Sequence, residues 1–188
     1  MKSGTRILGV AESYRQGATR STLAGAVVRV DGTVDGFEFG RLTVGGLDAT
    51  ETVTALSDRL DRPDVRYLLL SGIAPAWYNL YDLPAIHEAV DRPVVSVTFE
   101  DSEGLTAALD EAFDGEALAR RRRIYERQPD RTPVSVGDET VYCRAVGIDD
   151  SAAADLLRAT TASGGRSEPV RVARGAARAA DDVLAGES

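Results

Sequence analysis

Arginine side chains in two parts of the chain could bind the phosphate groups of a nucleic acid. The first part is the only basic run, at residues 120–127, and the second lies near the carboxyl terminus, at residues 166–178. On a helix, several arginines of each group would share a face, where their planar guanidinium groups suit phosphate. The first group could equally be solvated and paired with Glu116, Glu126 or Asp130. The candidates are Arg120, Arg123 and Arg127 in the first group, and Arg171, Arg174 and Arg178 in the second.

A second kind of binding chemistry lies in the only aromatic concentration of the chain, at residues 76–81. This segment follows a predicted buried strand, so the rings of Trp77 and Tyr78 could stack on a displaced base. A recognition role is also favoured for Asn79, because the loop is long and Pro75 stiffens it. Alternatively, the two rings fold the loop back onto the domain, and the two interpretations carry equal weight.

The single histidine and the single cysteine have structural explanations. His87 shares a predicted helix face with apolar residues, which favours a packed or partly exposed side chain over a catalytic one. Cys143 lies in an alternating run that predicts a buried strand residue. The pair Gly45-Gly46 has neither the spacing nor the following lysine of a phosphate-binding loop, and no serine hydrolase motif is present.

The charge balance predicts a salt-rich environment. The chain has 22 basic and 30 acidic side chains, and only Lys2 among the basic ones is not arginine. Carboxylates keep a protein hydrated in concentrated salt, so we expect a haloarchaeal, cytoplasmic protein; a GC-rich genome is the alternative explanation. With one cysteine, no apolar run of membrane-spanning length and no apolar signal region before the first strand, the sequence favours a reducing cytoplasm and no membrane association.

The first half of the chain predicts three antiparallel strands followed by alternating helices and strands. The turn Asp31-Gly32 joins the second and third strands. Asp48 with Glu51 has the form of an N-cap with an acid three residues later, and Asp82 caps the next helix. The predicted strands cover residues 6–11, 21–30, 34–44, 65–70 and 94–99, and the predicted helices begin after residue 48 and at residue 82.

The second half is less sharply patterned. It predicts helices at 105–113 and 116–127, a small hairpin at 134–145, a helix capped by Ser151, a break at Gly164-Gly165 and a last helix at 170–184. We expect one α/β domain with a mixed sheet over residues 1–188, with its core at 5–113 and C-terminal helices and the hairpin at 114–188.

This order of elements resembles the ribonuclease H-like fold. Enzymes with that fold hold divalent metal ions with carboxylates at the ends of the first and fourth strands and on nearby helices. Two such ions clamp the attacking and leaving oxygens of a phosphodiester, so several carboxylates must converge.

Four segments of the sequence together resemble the archaeal endonuclease dU family, which is related to endonuclease V. They are Leu8–Ser13, Val44–Glu51, Ser71–Asn79 and Glu168–Ala173, and they occur in the same order as in the family. The resemblance implies a DNA endonuclease acting at deaminated bases with Mg²⁺ or Mn²⁺. By the same resemblance, Glu12 and Asp48 would bind metal, and Glu12, Asp48 and Glu51 would be catalytic.

The chain departs from the family at three positions that carry chemistry. Family members usually have two aspartates where this chain has Ala11 and Glu12, an aspartate at Ser71, and commonly a histidine at Arg174. Neither alanine nor serine supplies an anionic metal ligand. Asp48 and Glu51 are also explained as a helix cap. The departures therefore predict that nuclease activity is reduced or lost.

Three functional hypotheses follow from these residues. The first is an endonuclease dU-like nuclease, weakened or inactive, with Mg²⁺ or Mn²⁺ if active and no cofactor otherwise. The second is a non-catalytic module that binds nucleic acid, most simply DNA, through the aromatic loop and the arginines. The third is a protein-interaction module on the same fold. The sequence leaves the oligomeric state open, with a homodimer as one option.

Overall fold

The central strands of the protein form where apolar residues run almost without interruption, and the outer strands form where apolar and polar residues alternate. The computed structural model describes residues 1–161 and 166–186. Its strands are β1 (Arg6–Ser13), β2 (Arg20–Arg29), β3 (Val34–Thr43), β4 (Val65–Ser71), β5 (Val94–Thr98), β6 (Thr132–Val136) and β7 (Glu139–Val146). Its helical segments are α1 (Ala49–Leu60), α2 (Pro75–Tyr78), α3 (Leu83–Val90), α4 (Thr106–Ala112), α5 (Gly115–Glu126), α6 (Asp150–Thr160) and α7 (Glu168–Gly186).

The seven strands make one mixed sheet in the order β3-β2-β1-β4-β5-β7-β6. The pairs β1–β2 and β2–β3 are antiparallel, whereas β1–β4 and β4–β5 are parallel. Gly32 has a φ of 87° in the turn between β2 and β3, a conformation that glycine adopts without strain. This architecture confirms the predicted mixed α/β sheet with an antiparallel meander first.

Side chains of the central strands alternate between two apolar layers, one on each face of the sheet. On β1, Leu8 packs into the layer that contains Val53 and Leu56 of α1, together with residues of α3. Ile7 packs into the opposite layer, with residues of α6 and α7. Truncating a fully buried residue such as Leu56 to alanine would cost about 2–5 kcal/mol of stability. Burial of both faces explains why these strands read as continuous apolar runs.

A glycine on β1 allows the last helix to approach the sheet closely. A Cβ on Gly9 would lie 2.2 Å from the carbonyl carbon of Pro169, near the start of α7, which is closer than any real contact. The start of α7 is thereby held against the middle of the sheet, and this places Arg166 and Arg174 near the ends of β1 and β4.

The predicted small hairpin is part of the main sheet. Strand β7 pairs antiparallel with β5, with Val97 opposite Cys143, and β6 forms the outer edge. The alternating Val141 and Cys143 are buried against the α6 and α7 side of the sheet, so the hairpin contributes to that core instead of standing apart from it.

Two expectations for the C-terminal helices need correction or fall outside the described residues. Asp149, and not Ser151, caps α6, since its side chain accepts a hydrogen bond from the Ala152 amide at 2.8 Å. The predicted break at Gly164-Gly165 lies outside the described residues. No helix in the described part of the chain is long and apolar enough to cross a membrane.

Candidate functional site

A cavity of about 410 Å³ opens at the carboxyl ends of β4 and β5. The end of β1 reaches the same edge because β1 runs parallel to β4. Crevices at the carboxyl ends of parallel strands are the usual ligand sites of α/β sheets. The polar side chains around this cavity come from β1, β4, β5, the loop 99–105, the hairpin and the start of α7. They include Glu12, Ser71, Arg131, Arg144, Arg166 and Arg174.

Glu12 is the one predicted catalytic carboxylate that lines the cavity, and both of its oxygens are engaged. Oε1 accepts a hydrogen bond from the Ala76 amide at 2.8 Å, and Oε2 accepts one from the Ser21 hydroxyl. Glu12 also influences Tyr81: burial raises the pKa of the Tyr81 phenol, and the negative charge of Glu12 raises it further. Glu12 therefore acts as an acceptor that ties the end of β1 to the segment after β4.

Two positions at which the chain departs from the family contact one another. A terminal nitrogen of Arg174 donates a hydrogen bond to the Ser71 hydroxyl at 2.8 Å, although 103 residues separate them in the sequence. Burial lowers the pKa of the Arg174 guanidinium, and Arg166 and Arg178 lower it further, while Glu12 opposes the shift. A cation thus lies at the position where the family resemblance predicts an aspartate and a histidine.

Asp48 does not line the cavity. Its carboxylate accepts hydrogen bonds from the Thr43 amide at 3.1 Å, from the Thr43 hydroxyl at 2.7 Å and from the amide of Asn79. Burial alone would raise the pKa of Asp48, but these bonds outweigh it and the pKa is lowered.

The predicted capping arrangement of α1 is only partly correct. Asp48 occupies the N-cap position, yet its side chain makes no capping hydrogen bond. The amide oxygen of Asn79 instead accepts from the Ala49 amide at 2.9 Å, because the Asp48 carboxylate is already occupied by Thr43. Glu51 is exposed in the first turn of α1 and lies outside the cavity.

The donor set of the cavity does not fit a two-metal centre. Mg²⁺ and Mn²⁺ prefer oxygen ligands, and a two-metal site needs several convergent carboxylates. The cavity offers Glu12, whose oxygens are engaged, and the exposed Glu100, against four guanidinium groups. No group of three or more His, Cys, Asp or Glu side chains within residues 1–161 and 166–186 is arranged to hold a metal ion.

The segment after β4 is a left-handed turn, which the sequence did not reveal. Ala76, Trp77 and Tyr78 have φ values of 47°, 57° and 60°. This conformation costs an L-residue about 1–2 kcal/mol each. The contacts that hold the turn include the bond to Glu12, the Gly45 backbone amide donating to the Ala76 carbonyl at 2.8 Å, and the Asn79 backbone amide donating to the Pro75 carbonyl at 2.9 Å.

Trp77 has features of both predictions for the aromatic loop, because its ring packs onto the domain and part of the residue remains exposed. One side of its ring packs on Phe113, with 5.0 Å between ring centroids, and on Tyr78 at 5.9 Å. Half of the side chain, 50%, remains exposed. Gly45 is needed beneath it, since a Cβ there would lie 2.7 Å from the indole ring. Trp77 is therefore a supported ring with an open face.

Asn79 is placed differently from the two rings. It is fully buried, its amide oxygen accepts from Ala49, and its amide nitrogen donates to the Thr43 carbonyl at 2.8 Å and to Asp48. The amide thus links β3, α1 and the left-handed turn, and it is not accessible to a ligand.

Arg121, which sequence reasoning passed over, is the buried member of the basic run. It is only 3% exposed, and it donates to the carbonyls of Gly46 at 3.0 Å, Tyr78 at 3.2 Å and Gly45. Its guanidinium also lies 3.7 Å from the centroid of the Phe113 ring. Arg121 therefore supports the turn that carries Trp77. The spacing of Leu118, Arg121 and Tyr125 was a usable signal, since these residues share one helical face.

The other arginines proposed from the sequence lie on the surface. Arg120 is exposed, Arg123 pairs with Glu116 at 2.9 Å, Arg127 pairs with Asp82 at 3.2 Å, and Arg171 pairs with Glu168. The ion pair between Arg123 and Glu116 is one of the pairings predicted for the basic run. Asp82 also caps α3 as predicted, accepting from the Ala85 amide at 3.2 Å.

The structural interpretations of His87 and Cys143 are confirmed. A ring nitrogen of His87 lies 2.7 Å from the Arg92 carbonyl, and a Cβ on Gly147 would lie only 2.3 Å from the ring. Cys143 is 1% exposed, and burial raises the pKa of its thiol. Neither residue lines the cavity.

Solved structures with a similar fold include a protein of unknown function and endonuclease V. A protein of unknown function from Archaeoglobus fulgidus superposes with a TM-score of 0.82 at 26% identity, covering 93% of this chain and 97% of that one. Endonuclease V from Ciona intestinalis, solved with a 24mer DNA that contains an inosine, superposes with a TM-score of 0.68 at 12% identity, covering 96% and 87%. The second likeness shows that the mixed sheet has the ribonuclease H-like arrangement of endonuclease V.

Sequence comparison identifies the family. A UPF0215 protein of Pyrobaculum calidifontis is 33% identical over 183 residues, which cover 96% of this chain and 100% of the relative. The profile of the family described as Endonuclease dU matches residues 3–181. The chain therefore belongs to the endonuclease dU family.

Proposed function

We propose that this protein binds a DNA strand at the cavity edge without a divalent metal ion, and that metal-dependent cleavage is lost. The observation that carries the proposal is the Arg174–Ser71 contact, which places a guanidinium in the same cavity as Glu12, where a metal centre would need anionic ligands. A guanidinium binds a phosphate oxygen directly through charge-assisted hydrogen bonds, so the site needs no bridging cation.

The exposed face of Trp77 supplies the second half of the proposed surface. Stacking of a base on an aromatic side chain is worth about 1–3 kcal/mol and tolerates any sequence. Because Glu12, Gly45 and Arg121 hold the turn in the absence of a ligand, little conformational entropy remains to be lost on binding. The endonuclease V complexes contain DNA, which supports a nucleic-acid partner for this fold.

The rival proposal is a metal-dependent endonuclease in which Glu12, Asp48 and Glu51 are catalytic. For it to operate, Asp48 and Glu51, which lie outside the cavity, would have to move toward Glu12, and Asp48 would release Thr43 and Asn79. Release of Asp48 would leave the Thr43 hydroxyl without its acceptor and would take one acceptor from the Asn79 side chain. These costs favour binding without metal chemistry.

The chain contains one tryptophan, so Trp77 fluorescence reports directly on the proposed surface. Single-stranded DNA is titrated in EDTA and again in Mn²⁺, in low salt and in molar KCl, because the composition predicts a salt-rich cytoplasm. We expect quenching of Trp77 and equal affinity with and without the metal.

Cleavage is measured in parallel on DNA that contains uracil or inosine, and we expect none. Mn²⁺-dependent cleavage that is abolished by Glu12→Gln would overturn the proposal in favour of the nuclease. If DNA neither quenches Trp77 nor binds by anisotropy in any of these conditions, the proposal fails and a protein-interaction role gains support.

A further inference from the structure

The cavity contains more positive charge than its carboxylates balance. Four guanidinium groups line it, against the two carboxylates of Glu12 and Glu100. The difference of two positive charges is concentrated where the chain as a whole is acidic, with a net charge of −8. The four are Arg131, Arg144, Arg166 and Arg174.

Aromatic rings hold three of these guanidinium groups in place. Arg131 lies 4.2 Å from the centroid of the Tyr142 ring, and Arg166 lies 5.6 Å from that of Phe99. The third, Arg144, lies 5.6 Å from the centroid of the Tyr125 ring. Such stacking fixes the plane of each guanidinium, so fewer rotamers are lost when a ligand binds.

The hydrogen-bond partners of these arginines are mostly neutral. Arg131 donates to the carbonyls of Ser102 and Glu100, each at 2.9 Å, and has the exposed Asp101 at 3.6 Å. Arg144 donates to the Pro129 carbonyl and, at 3.5 Å, to the Tyr125 hydroxyl. Carbonyl oxygens orient a guanidinium without cancelling its charge.

The positive charges of Arg166 and Arg174 are balanced even less by nearby carboxylates. Within the described part of the chain, neither has a carboxylate within 4.0 Å, and the Ser71 hydroxyl is the hydrogen-bond partner of Arg174. Burial and the neighbouring Arg166 and Arg178 disfavour the charge of Arg174. An anion between Arg166 and Arg174 would relieve this repulsion.

The size and the charge of the cavity indicate the class of ligand. Pockets of roughly 300–1,000 Å³ hold small organic molecules, so a cavity of about 410 Å³ is larger than an inorganic ion needs. A phosphomonoester carries about −1.5 to −2 charges at neutral pH, since its second pKa is about 6. An internal phosphodiester carries only one negative charge per phosphate.

We propose that the cavity binds the phosphomonoester group of a nucleotide, with the phosphate between Arg174 and Arg166 and the rest of the nucleotide against Phe99 and Tyr125. The same chemistry is present in a free nucleoside monophosphate and in a phosphorylated end of a DNA strand. This inference rests on the proposed function in using the same cavity, and it adds a preference that an internal phosphodiester site would not show.

The test compares oligonucleotides of one sequence that end in a 5′-phosphate, a 3′-phosphate or hydroxyl groups only, with the label at the opposite end. Free deoxyadenosine monophosphate and deoxyadenosine serve as competitors. We expect a phosphorylated end to bind about tenfold more tightly than a hydroxyl end, as charge-assisted bonds imply. Competition by the monophosphate but not by the nucleoside would identify the free nucleotide as a ligand as well.

Arg174→Gln should reduce the preference for phosphate to less than about twofold. Arg166→Gln, at an exposed position that tolerates replacement, should reduce it in the same direction. The matched control is Arg66→Gln, which removes one exposed arginine near the amino end of β4, the end opposite Ser71. Circular dichroism melting verifies that each variant is folded.

The outcomes separate this inference from the proposed function. Equal binding of phosphorylated and hydroxyl ends would overturn the inference and leave DNA binding intact. Binding of the free monophosphate without binding of any oligonucleotide would support the inference and overturn the proposed function. A preference for phosphate that is unchanged in both Arg174→Gln and Arg166→Gln would overturn the assignment to this cavity.

Discussion

Arg121 is buried and Arg174 is half-buried, and desolvation lowers the pKa of both guanidinium groups, yet their surroundings differ. Arg121 donates to the carbonyls of Gly45, Gly46 and Tyr78 and lies over Phe113. Arg174 contacts one hydroxyl, that of Ser71, and has positive neighbours. The buried Arg121, whose donors are satisfied, is therefore expected to stabilise the fold, whereas the half-buried Arg174 is the arginine that we propose to bind an anion.

The largest expected effect is a loss of stability when Arg121, the structural arginine, is replaced. Arg121→Ala leaves three carbonyl groups without their donor and removes the contact with Phe113, so we expect the free energy of unfolding to fall by about 3–5 kcal/mol. Urea denaturation measures this change. Arg120→Ala, at the exposed neighbouring position, should change stability by less than about 0.5 kcal/mol. A loss below about 1 kcal/mol in Arg121→Ala would remove the structural role assigned to it.

Asn79→Ala tests a structural role like that of Arg121, but at a neutral buried residue. The change removes the acceptor of the Ala49 amide and a donor to Asp48, and we expect a loss of about 2 kcal/mol in unfolding free energy. The left-handed turn should loosen as well, with a shift in Trp77 emission. An unchanged emission spectrum together with parent-like stability would show that Asn79 does not hold the turn.

On the binding side, Arg174→Gln should have the opposite profile. Stability should stay within about 1 kcal/mol of the parent or rise, because a half-buried charge beside other arginines is removed. Affinity for DNA should fall about tenfold, measured by anisotropy in EDTA. Arg66→Gln is the control for one lost positive charge. Destabilisation as large as that of Arg121→Ala, with DNA affinity retained, would reverse the comparison.

The smallest expected effect is at Asp35, a carboxylate that forms ion pairs with Arg6 and Arg29. Asp35 accepts from Arg29 at 2.8 Å and from Arg6 at 2.6 Å. The hydrogen bond from Arg29 lowers the pKa of Asp35 most, burial opposes this shift, and the bond from Arg6 lowers the pKa further. The pKa of Asp35 therefore falls from 3.8 to about 2. The stability from Asp35 is therefore present above its unfolded pKa and is lost as pH falls through about 2.

Asp35→Asn should reduce the dependence of unfolding free energy on pH between about pH 5 and about pH 2, and Arg174→Gln should leave it unchanged. Urea unfolding at the two pH values measures both variants. An identical dependence in Asp35→Asn and in the parent would mean that these ion pairs do not stabilise the fold.

Most of the sheet could be predicted because its signals are local. The runs that form β1, β2 and β4 are apolar almost throughout, and the change of period after residue 48 indicates α1. The family could also be recognised from motifs spread along the chain, and the profile match over residues 3–181 confirms it. The pairing of β7 with β5 could not be predicted from one sequence, since an alternating strand does not specify its neighbour.

The site was only partly predictable because its contacts join distant residues. Glu12, Arg174 and Trp77 were identified from the sequence, and the structure brings Glu12 and Arg174 to one cavity with Ser71. The left-handed turn was not identified, because alanine, tryptophan and tyrosine do not favour positive φ and only tertiary contacts impose it. The roles of Arg131 and Arg144 were not identified either, since neither lies in a basic run.

The central claim is that Arg174, and not a metal ion, supplies the positive charge beside Glu12. Isothermal titration of the protein with Mn²⁺ tests it most directly, alongside the double variant Ser71→Asp with Arg174→His, which introduces the two residues predicted from the family resemblance. We expect no binding heat for the parent and measurable Mn²⁺ binding for the double variant. Stoichiometric Mn²⁺ binding by the parent that Glu12→Gln abolishes would contradict the claim.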